Sequence, residues 1–278
     1  MRPPVEYWRV SGAGNDFLAL VEPPAAPAAA AIRAWCRRGL SLGADGLFTL
    51  RPGEPVAMTY YNADGEPAEL CLNATRCAAQ LAFELGWAGD EVRLATGAGE
   101  VLARRLEGDE VELELPPPSE PVAPVRLDVD GSAVDAWRVR VGVPHLVVAW
   151  HQSLARCPVA ELGPRLRAHP ELGPEGANVD FVRYRDRGRI ELRTWERGVE
   201  AETLACGTGV LAAALGGLAT LQLDLPVTAT TRGGFDLTVR GEAREGVVRR
   251  WTLAGDARLL ARGTLFAAAD RVPPPPAW

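Results

Sequence analysis

Polar and apolar residues alternate with period two in several short runs of this chain. Glu110-Val111-Glu112-Leu113-Glu114-Leu115 and Trp137-Arg138-Val139-Arg140-Val141 are two of them, and residues 189–193 and 235–239 repeat the pattern. Such alternation sends apolar side chains to one face of a β-strand. Helical candidates include residues 28–38 and 153–168 and two Ala/Leu-rich stretches at 78–82 and 211–215. Leu115-Pro116-Pro117-Pro118-Ser119-Glu120-Pro121 breaks regular structure and reads as a linker, and Pro273 to Pro276 read as an irregular tail. Many short strands with few helices predict an α+β chain of two lobes, each a curved sheet around a helix. The expected boundaries are 1–120, 121–264 and a tail, 265–278, free to return to the first lobe.

The lobes look alike in sequence. Arg9-Val10-Ser11-Gly12-Ala13-Gly14-Asn15-Asp16-Phe17 leads from a glycine turn into an apolar strand, and Val139-Arg140-Val141-Gly142-Val143-Pro144-His145 has the same shape. Gly12-Ala13-Gly14-Asn15 lacks the third glycine and following helix of a dinucleotide site, so it reads as a turn. Cys71 sits in Ala-Glu-Leu-Cys-Leu-Asn-Ala-Thr-Arg-Cys and Cys206 in Glu-Thr-Leu-Ala-Cys-Gly-Thr-Gly-Val, each running into an Ala/Leu-rich stretch. The separations, 206 − 71 = 135 and 145 − 15 = 130, both lie near half the chain length. A duplicated lobe explains this offset.

Free cysteine usually behaves as a small buried hydrophobe, and Cys36, Cys77 and Cys157 fit that description. Cys71 and Cys206 differ because their shared frame puts each at a helix start. There, unpaired N–H groups and the dipole are expected to lower a thiol pKa and attract an anion.

Composition narrows the chemistry further. All 30 basic residues are Arg, and without Lys neither an internal Schiff base nor a Walker-type phosphate loop can form. The three His, at 145, 151 and 169, and the cysteine spacing do not make a zinc site. Net charge is −6 with no basic stripe, which argues against nucleic acid. No long apolar run or signal-type N-terminus is seen, and five cysteines do not form a disulfide framework; a cytoplasmic protein without a membrane partner is the expectation.

These motifs together resemble diaminopimelate epimerase, a family of cofactor-independent amino-acid racemases. The resemblance runs in order through Gly12–Phe17, Leu42-Gly43-Ala44-Asp45-Gly46, Asn62-Ala63-Asp64-Gly65 and the Cys71 frame with Arg76-Cys77. It continues through Gly142-Val143-Pro144-His145, Asn178, Glu196-Arg197-Gly198, the Cys206 frame and Leu253-Ala254-Gly255-Asp256-Ala257. It implies two pseudo-symmetric lobes of mostly antiparallel sheet around a central helix, with the active site in the cleft between them. It also implies no cofactor and no metal, a small amino-acid substrate, and a homodimer as candidate assembly.

The resemblance assigns roles residue by residue. Cys71 and Cys206 are the paired bases, tuned by His145 and Glu196. Main-chain N–H groups of Leu72, Asn73, Gly207 and Thr208 hold the reacting carboxylate. Asn15, Asn62, Asn178, Glu196 and Arg197 hold the remaining polar ends, with the Arg197 fork suited to a distal carboxylate. Three features depart from the family. Leu72 and Ala74 replace the two glycines of Cys-Gly-Asn-Gly, Val143 stands where many members carry Asn, and the Glu196–Cys206 stretch is one residue longer. Leu72 would be costly if its backbone needed positive φ. The implied activity interconverts L,L- and meso-diaminopimelate for lysine and peptidoglycan precursors. The alternatives are a racemase or dehydratase of the same fold acting on another amino acid, histidine- or proline-type, and a non-catalytic binding protein.

Overall fold

The protein is described from a computed structural model covering residues 4–220, 222–244 and 247–273; the end of the proline tail, 274–276, lies outside the described residues. The chain divides into two compact units, Met1–Leu113 with Asp256–Trp278, and Glu114–Gly255.

In the first unit β1 (Val5–Gly12) and β2 (Asn15–Val21) form a hairpin, followed by α1 (Ala29–Cys36), β3 (Gly46–Arg51), β4 (Val56–Asn62), the two-residue β5 (Pro67–Ala68) and α2 (Leu72–Glu84). Three more strands follow, β6 (Glu91–Thr96), β7 (Gly99–Arg105) and β8 (Glu110–Leu115). Pairing is antiparallel except where β2 meets β3 and β4 meets β6. The hairpin turns on Ala13 (φ +52°) and Gly14 (φ +94°), and two positive φ angles match the right-handed twist of the strands. A strand follows this turn, so no helix start faces it.

The second unit repeats the order. It contains β9 (Ala123–Val129), β10 (Ser132–Val141), β11 (Val143–Ala149), α3 (Val159–Arg167), β12 (Asn178–Asp186), β13 (Arg189–Glu196), β14 (Ala201–Thr203), α4 (Gly207–Ala219), β15 (Val227–Thr230), β16 (Asp236–Arg244) and β17 (Val247–Asp256). Here β11–β12 and β13–β15 are the parallel pairs, at the same places in the order as β2–β3 and β4–β6. The helix expected over 153–168 is split. A short 3-10 turn, Leu154–Arg156, ends before Pro158, and α3 begins one residue later, because proline cannot donate within a helix.

The last strand, β18 (Arg258–Leu265), pairs along β1 from Val5↔Leu265 to Ser11↔Arg258. That pairing draws residues 256–264 into the first unit rather than the second, and moves the other boundary from 120 to 113.

Each unit wraps its sheet around one helix. Eleven of the thirteen residues of α2 and eleven of the thirteen of α4 are buried, so neither presents a polar solvent face. Around α1, Leu18, Leu20, Ile32, Trp35 and Leu47 form a core, and under α3, Leu127, Leu146, Leu166, Val179 and Phe181 form another. Gly86 (φ +72°) follows the last turn of α2 and stops it.

Candidate active site

Both framed cysteines are helix N-caps. Cys71 (φ −133°, ψ 109°) precedes α2 and Cys206 (φ −120°, ψ 108°) precedes α4, each extended as a cap must be. The register of the units makes these positions equivalent. Tyr60 pairs with Ala68, three residues before Cys71; Thr194 pairs with Thr203, three residues before Cys206.

In the second unit the predicted residues assemble around α4. Cys206 Sγ accepts from Gly209 N–H at 3.4 Å and lies 3.4 Å from Thr208 Oγ1. His145 is buried on β11, and its Nδ1 lies 2.7 Å from Asp180 Oδ2 on β12, whose other oxygen accepts from Thr194 Oγ1 at 2.7 Å. An Nδ1–H donated to Asp180 leaves Nε2 of a neutral ring as acceptor, and Nε2 is buried with no partner among the described residues. Thr203 Oγ1 donates to Glu196 Oε1 at 2.5 Å. Asn178 Oδ1 accepts from Arg197 N–H at 2.8 Å.

Electrostatics there run against one expectation. Burial, then the charges of Glu196 and Asp180, push the Cys206 thiol well above its ordinary value, outweighing the hydrogen bonds from Thr208 and Gly209. The helix start does not lower this thiol. The Glu196 carboxyl is likewise pushed up by burial and by Asp180, against the Thr203 hydrogen bond and the nearby His145.

In the first unit the predicted residues form a linked series. Asn73 Nδ2 donates to Asn15 Oδ1 at 2.5 Å, and Asn15 Nδ2 donates to Asp45 Oδ2 at 3.1 Å. Arg38 reaches Asp45 Oδ1 at 2.7 Å, and Asp16 accepts from both Arg9 and Arg38. Asn15 and Asn73 thus tie the hairpin to the start of α2. Met58, Tyr60, Glu69, Leu70, Thr75 and Thr96 surround Cys71 and leave no space there large enough for a water molecule. Leu72 and Ala74 lie in regular helix, and neither is among the residues with positive φ, so the glycine replacements carry no backbone strain. Asn62 is exposed at the end of β4, and its side chain makes no hydrogen bond among the described residues. Arg197, expected to hold a substrate carboxylate, instead donates to Glu175 Oε1 at 3.0 Å. Cys77 is pushed up by burial within α2, and Cys36 and Cys157 are each pushed up to about 12, also chiefly by burial.

Two such helix-capping cysteines on a duplicated scaffold narrow the relatives this chain can have. Residues 138–252 match the family model described as diaminopimelate epimerase. A diaminopimelate epimerase of Aquifex aeolicus is 37% identical over 251 residues, covering 84% of this chain and 89% of the relative. The chain belongs to the diaminopimelate epimerase family. A second diaminopimelate epimerase, from Gemmatimonas aurantiaca, is 38% identical and covers 90% of this chain and 100% of its own. The fold is shared more widely. A probable proline racemase from Agrobacterium radiobacter K84 superposes with a TM-score of 0.71 at 16% identity, covering 96% of this chain and 95% of that one.

This member of the epimerase family also carries polar groups near its cysteines that sequence patterns did not single out. Asp180 and Thr194 back His145, and Thr203 holds Glu196. A signal for Asp180 existed: Asn178 and Asp180 fall on one face of the strand while Val179 and Phe181 fall on the other, in its buried first half. Among the described residues no group of His, Cys, Asp and Glu is arranged to hold a metal ion, and no helix is long and apolar enough to cross a membrane.

Proposed function

We propose that this epimerase-family member interconverts L,L- and meso-diaminopimelate by two-base proton transfer, with Cys71 and Cys206 on opposite sides of the α-carbon. The supporting observation is a cysteine at the same register of each unit, capping a buried thirteen-residue helix. Inverting a carbon requires removal of a proton from one face and delivery to the other. A thiolate and a thiol exchange these tasks when the direction reverses.

The charge that develops on the α-carboxylate needs donors fixed in advance. Helix geometry leaves the first N–H groups of α2 and α4 without intrahelical acceptors, so those of Leu72, Asn73, Gly207 and Thr208 are available to the carboxylate. His145 and Glu196 flank Cys206 and tune it. Asn15, Asn62, Asn178 and Arg197 face the remaining polar ends of the substrate. No cofactor is required, and in this reading the enzyme is a cytoplasmic homodimer supplying lysine and peptidoglycan precursors.

The test is solvent-deuterium incorporation at the α-carbon of diaminopimelate against lysine, histidine, proline and glutamate. Incorporation into diaminopimelate that is lost with either Cys71→Ser or Cys206→Ser is expected. Equal or faster exchange with a monocarboxylate would refute the substrate, and full racemisation by either single variant would refute the two-base mechanism.

A further inference from the structure

The strand registers Phe17↔Gly46 and His145↔Asn178 make Phe17 the counterpart of His145 and Phe48 that of Asp180, as Tyr60 is that of Thr194. Phe17 packs against Phe48 at 6.5 Å and edge-on to Tyr60 at 6.0 Å, so the first unit has an aromatic cluster where the second has a hydrogen-bonded acid. The first unit has a polar chain of its own, running Arg76, Asn73, Asn15, Asp45. At the equivalent places the second unit has Leu211, Thr208, Val143 and Ala177. Three of the four positions take apolar residues there, so the scaffold does not demand the chain.

Each link of the chain is a direct contact. Arg76 Nη2 donates to Asn73 Oδ1 at 2.7 Å, Asn73 Nδ2 to Asn15 Oδ1 at 2.5 Å, and Asn15 Nδ2 to Asp45 Oδ2 at 3.1 Å. Gly12 lets the hairpin come this close to the helix, since a Cβ there would lie 2.7 Å from the main-chain oxygen of Asn73. The ends set the direction. A guanidinium only donates and a carboxylate only accepts, whereas an amide side chain can turn over and exchange its oxygen for its nitrogen. Arg76 is closed to solvent and anchored through Nε to the main-chain oxygen of Asp256 at 3.3 Å. Asp45 is anchored by Arg38 at 2.7 Å and by the Asp16 N–H at 3.2 Å. Facing Arg76, Asn73 must present its oxygen there and its nitrogen to Asn15. Facing Asp45, Asn15 must present its nitrogen there and its oxygen to Asn73. The two constraints agree. Half-buried Asn15 thus spends Oδ1 on Asn73 and one N–H on Asp45, and keeps a second N–H. Burying a guanidinium with Nη1 unpartnered is costly, and Asn73 is the side chain that Arg76 holds among the described residues.

We propose that Arg76 and Asp45 are positioning residues that fix the Asn15 amide from the two ends of this chain, so that Asn15 meets the substrate with an N–H aimed at a carboxylate oxygen. This rests on the reading of Asn15 as a substrate-holding residue. Either end alone sets the direction, and only removal of both frees the two amides to turn over together. The second unit has no such chain, and Val143 stands at the place of Asn15. The oriented donor is therefore a property of the first unit alone.

The test combines neutron diffraction, which shows deuterium directly, with steady-state rates on diaminopimelate. In the substrate-free wild type, Asn15 should carry its deuterons toward Asp45 and Asn73 should carry its own toward Asn15. The reverse in either amide would overturn the proposal without any variant. Arg76→Leu and Asp45→Ala install the residues found at the equivalent places of the second unit. Each alone should raise KM by no more than about threefold, with kcat nearly unchanged because the lost contact is made equally before and during reaction. The double variant should raise KM at least about threefold beyond the product of the two single effects, and its Asn15 amide should be found in both orientations. Arg76→Lys, which still only donates, should return KM in the Asp45→Ala background to that of Asp45→Ala alone. Single effects that simply multiply, or an Asn15 amide unmoved in the folded double variant, would overturn the proposal. A protein whose Asn15 turns over in the double variant as stated, yet which exchanges deuterium into no amino acid, would sink the racemase reading instead.

Discussion

His145 and Asp180 are joined inside the second unit, imidazole Nδ1 2.7 Å from carboxylate Oδ2, with neither side chain open to solvent. The parallel pairing of β11 with β12 creates this contact across thirty-five positions of sequence. Asp180 also receives Thr194, so both oxygens are used. The pair fixes one tautomer of the ring, as a carboxylate behind a histidine does in general.

Asp180→Asn should keep the fold but weaken that fixing, because the amide can present either a donor or an acceptor to Nδ1. We expect activity to drop at least on the order of tenfold, with a changed pH profile. Asp180→Ala, which strands His145 and Thr194 without their acceptor, should cost about 1–3 kcal/mol of stability for each donor left unsatisfied. Urea unfolding beside steady-state rates separates the two outcomes. Wild-type rates in Asp180→Asn would show that the tautomer is irrelevant.

Gly209 explains why the second helix keeps a glycine where the first has Ala74. A Cβ at Gly209 would lie 2.3 Å from Asp180 Oδ1 and 3.2 Å from Thr194 Oγ1. In the first unit the residue at the place of Asp180 is Phe48, and Ala74 is fully buried there. Gly209→Ala should therefore destabilise by about 1–3 kcal/mol through overpacking, despite alanine's better helix propensity. Ala74→Gly should cost roughly 1 kcal/mol for the opposite reason, lost propensity. Equilibrium unfolding of both variants checks the contrast, and a stabilised Gly209→Ala would contradict it.

Leu72 is 4% exposed and begins α2 with ordinary helical backbone. Restoring glycine there should not relieve strain, because none is present. Leu72→Gly should lose about 2–3 kcal/mol of burial, seen as a lower denaturation midpoint. A gain in stability would mean that the leucine is strained after all.

Several of these features were legible before the structure. The alternating runs, the proline linker and the repeated cysteine frames gave two α+β lobes and the capping role of both thiols, since each is set by neighbours in sequence. What could not be read depends on distant pairing. The exchange of Phe17, Phe48 and Tyr60 for His145, Asp180 and Thr194 appears only when strand registers are known. The return of β18 to β1 joins residues some 250 positions apart, so the lobe boundary at 264 was misplaced. The direction of the Cys206 shift failed for a related reason. Local sequence reports the helix dipole, whereas burial beside two carboxylates is a tertiary property and the larger effect.

Arg197 and Glu175 bear on the proposed substrate binding. Glu175 Oε1 accepts from Arg197 Nη1 at 3.0 Å, and its other oxygen lies 3.2 Å from Arg140. Hydrogen bonds from Arg140 and then Arg197 hold the Glu175 carboxyl below the usual carboxylate range. A depressed carboxylate favours the folded arrangement above its ordinary pKa, and that contribution fades only as pH falls through the depressed value. The pair thus persists in mild acid. A substrate carboxylate reaching Arg197 must then displace Glu175 or share the guanidinium with it. Glu175 is exposed and the exchange is between ion pairs in water, so the effect should be modest. Glu175→Gln should lower KM for diaminopimelate roughly two- to fivefold with kcat nearly unchanged, whereas Arg197→Gln should raise KM in both backgrounds. If Glu175→Gln leaves KM where it was while Arg197→Gln still raises it, the two carboxylates do not compete for one guanidinium, and the distal end of the substrate is held by a different face of Arg197.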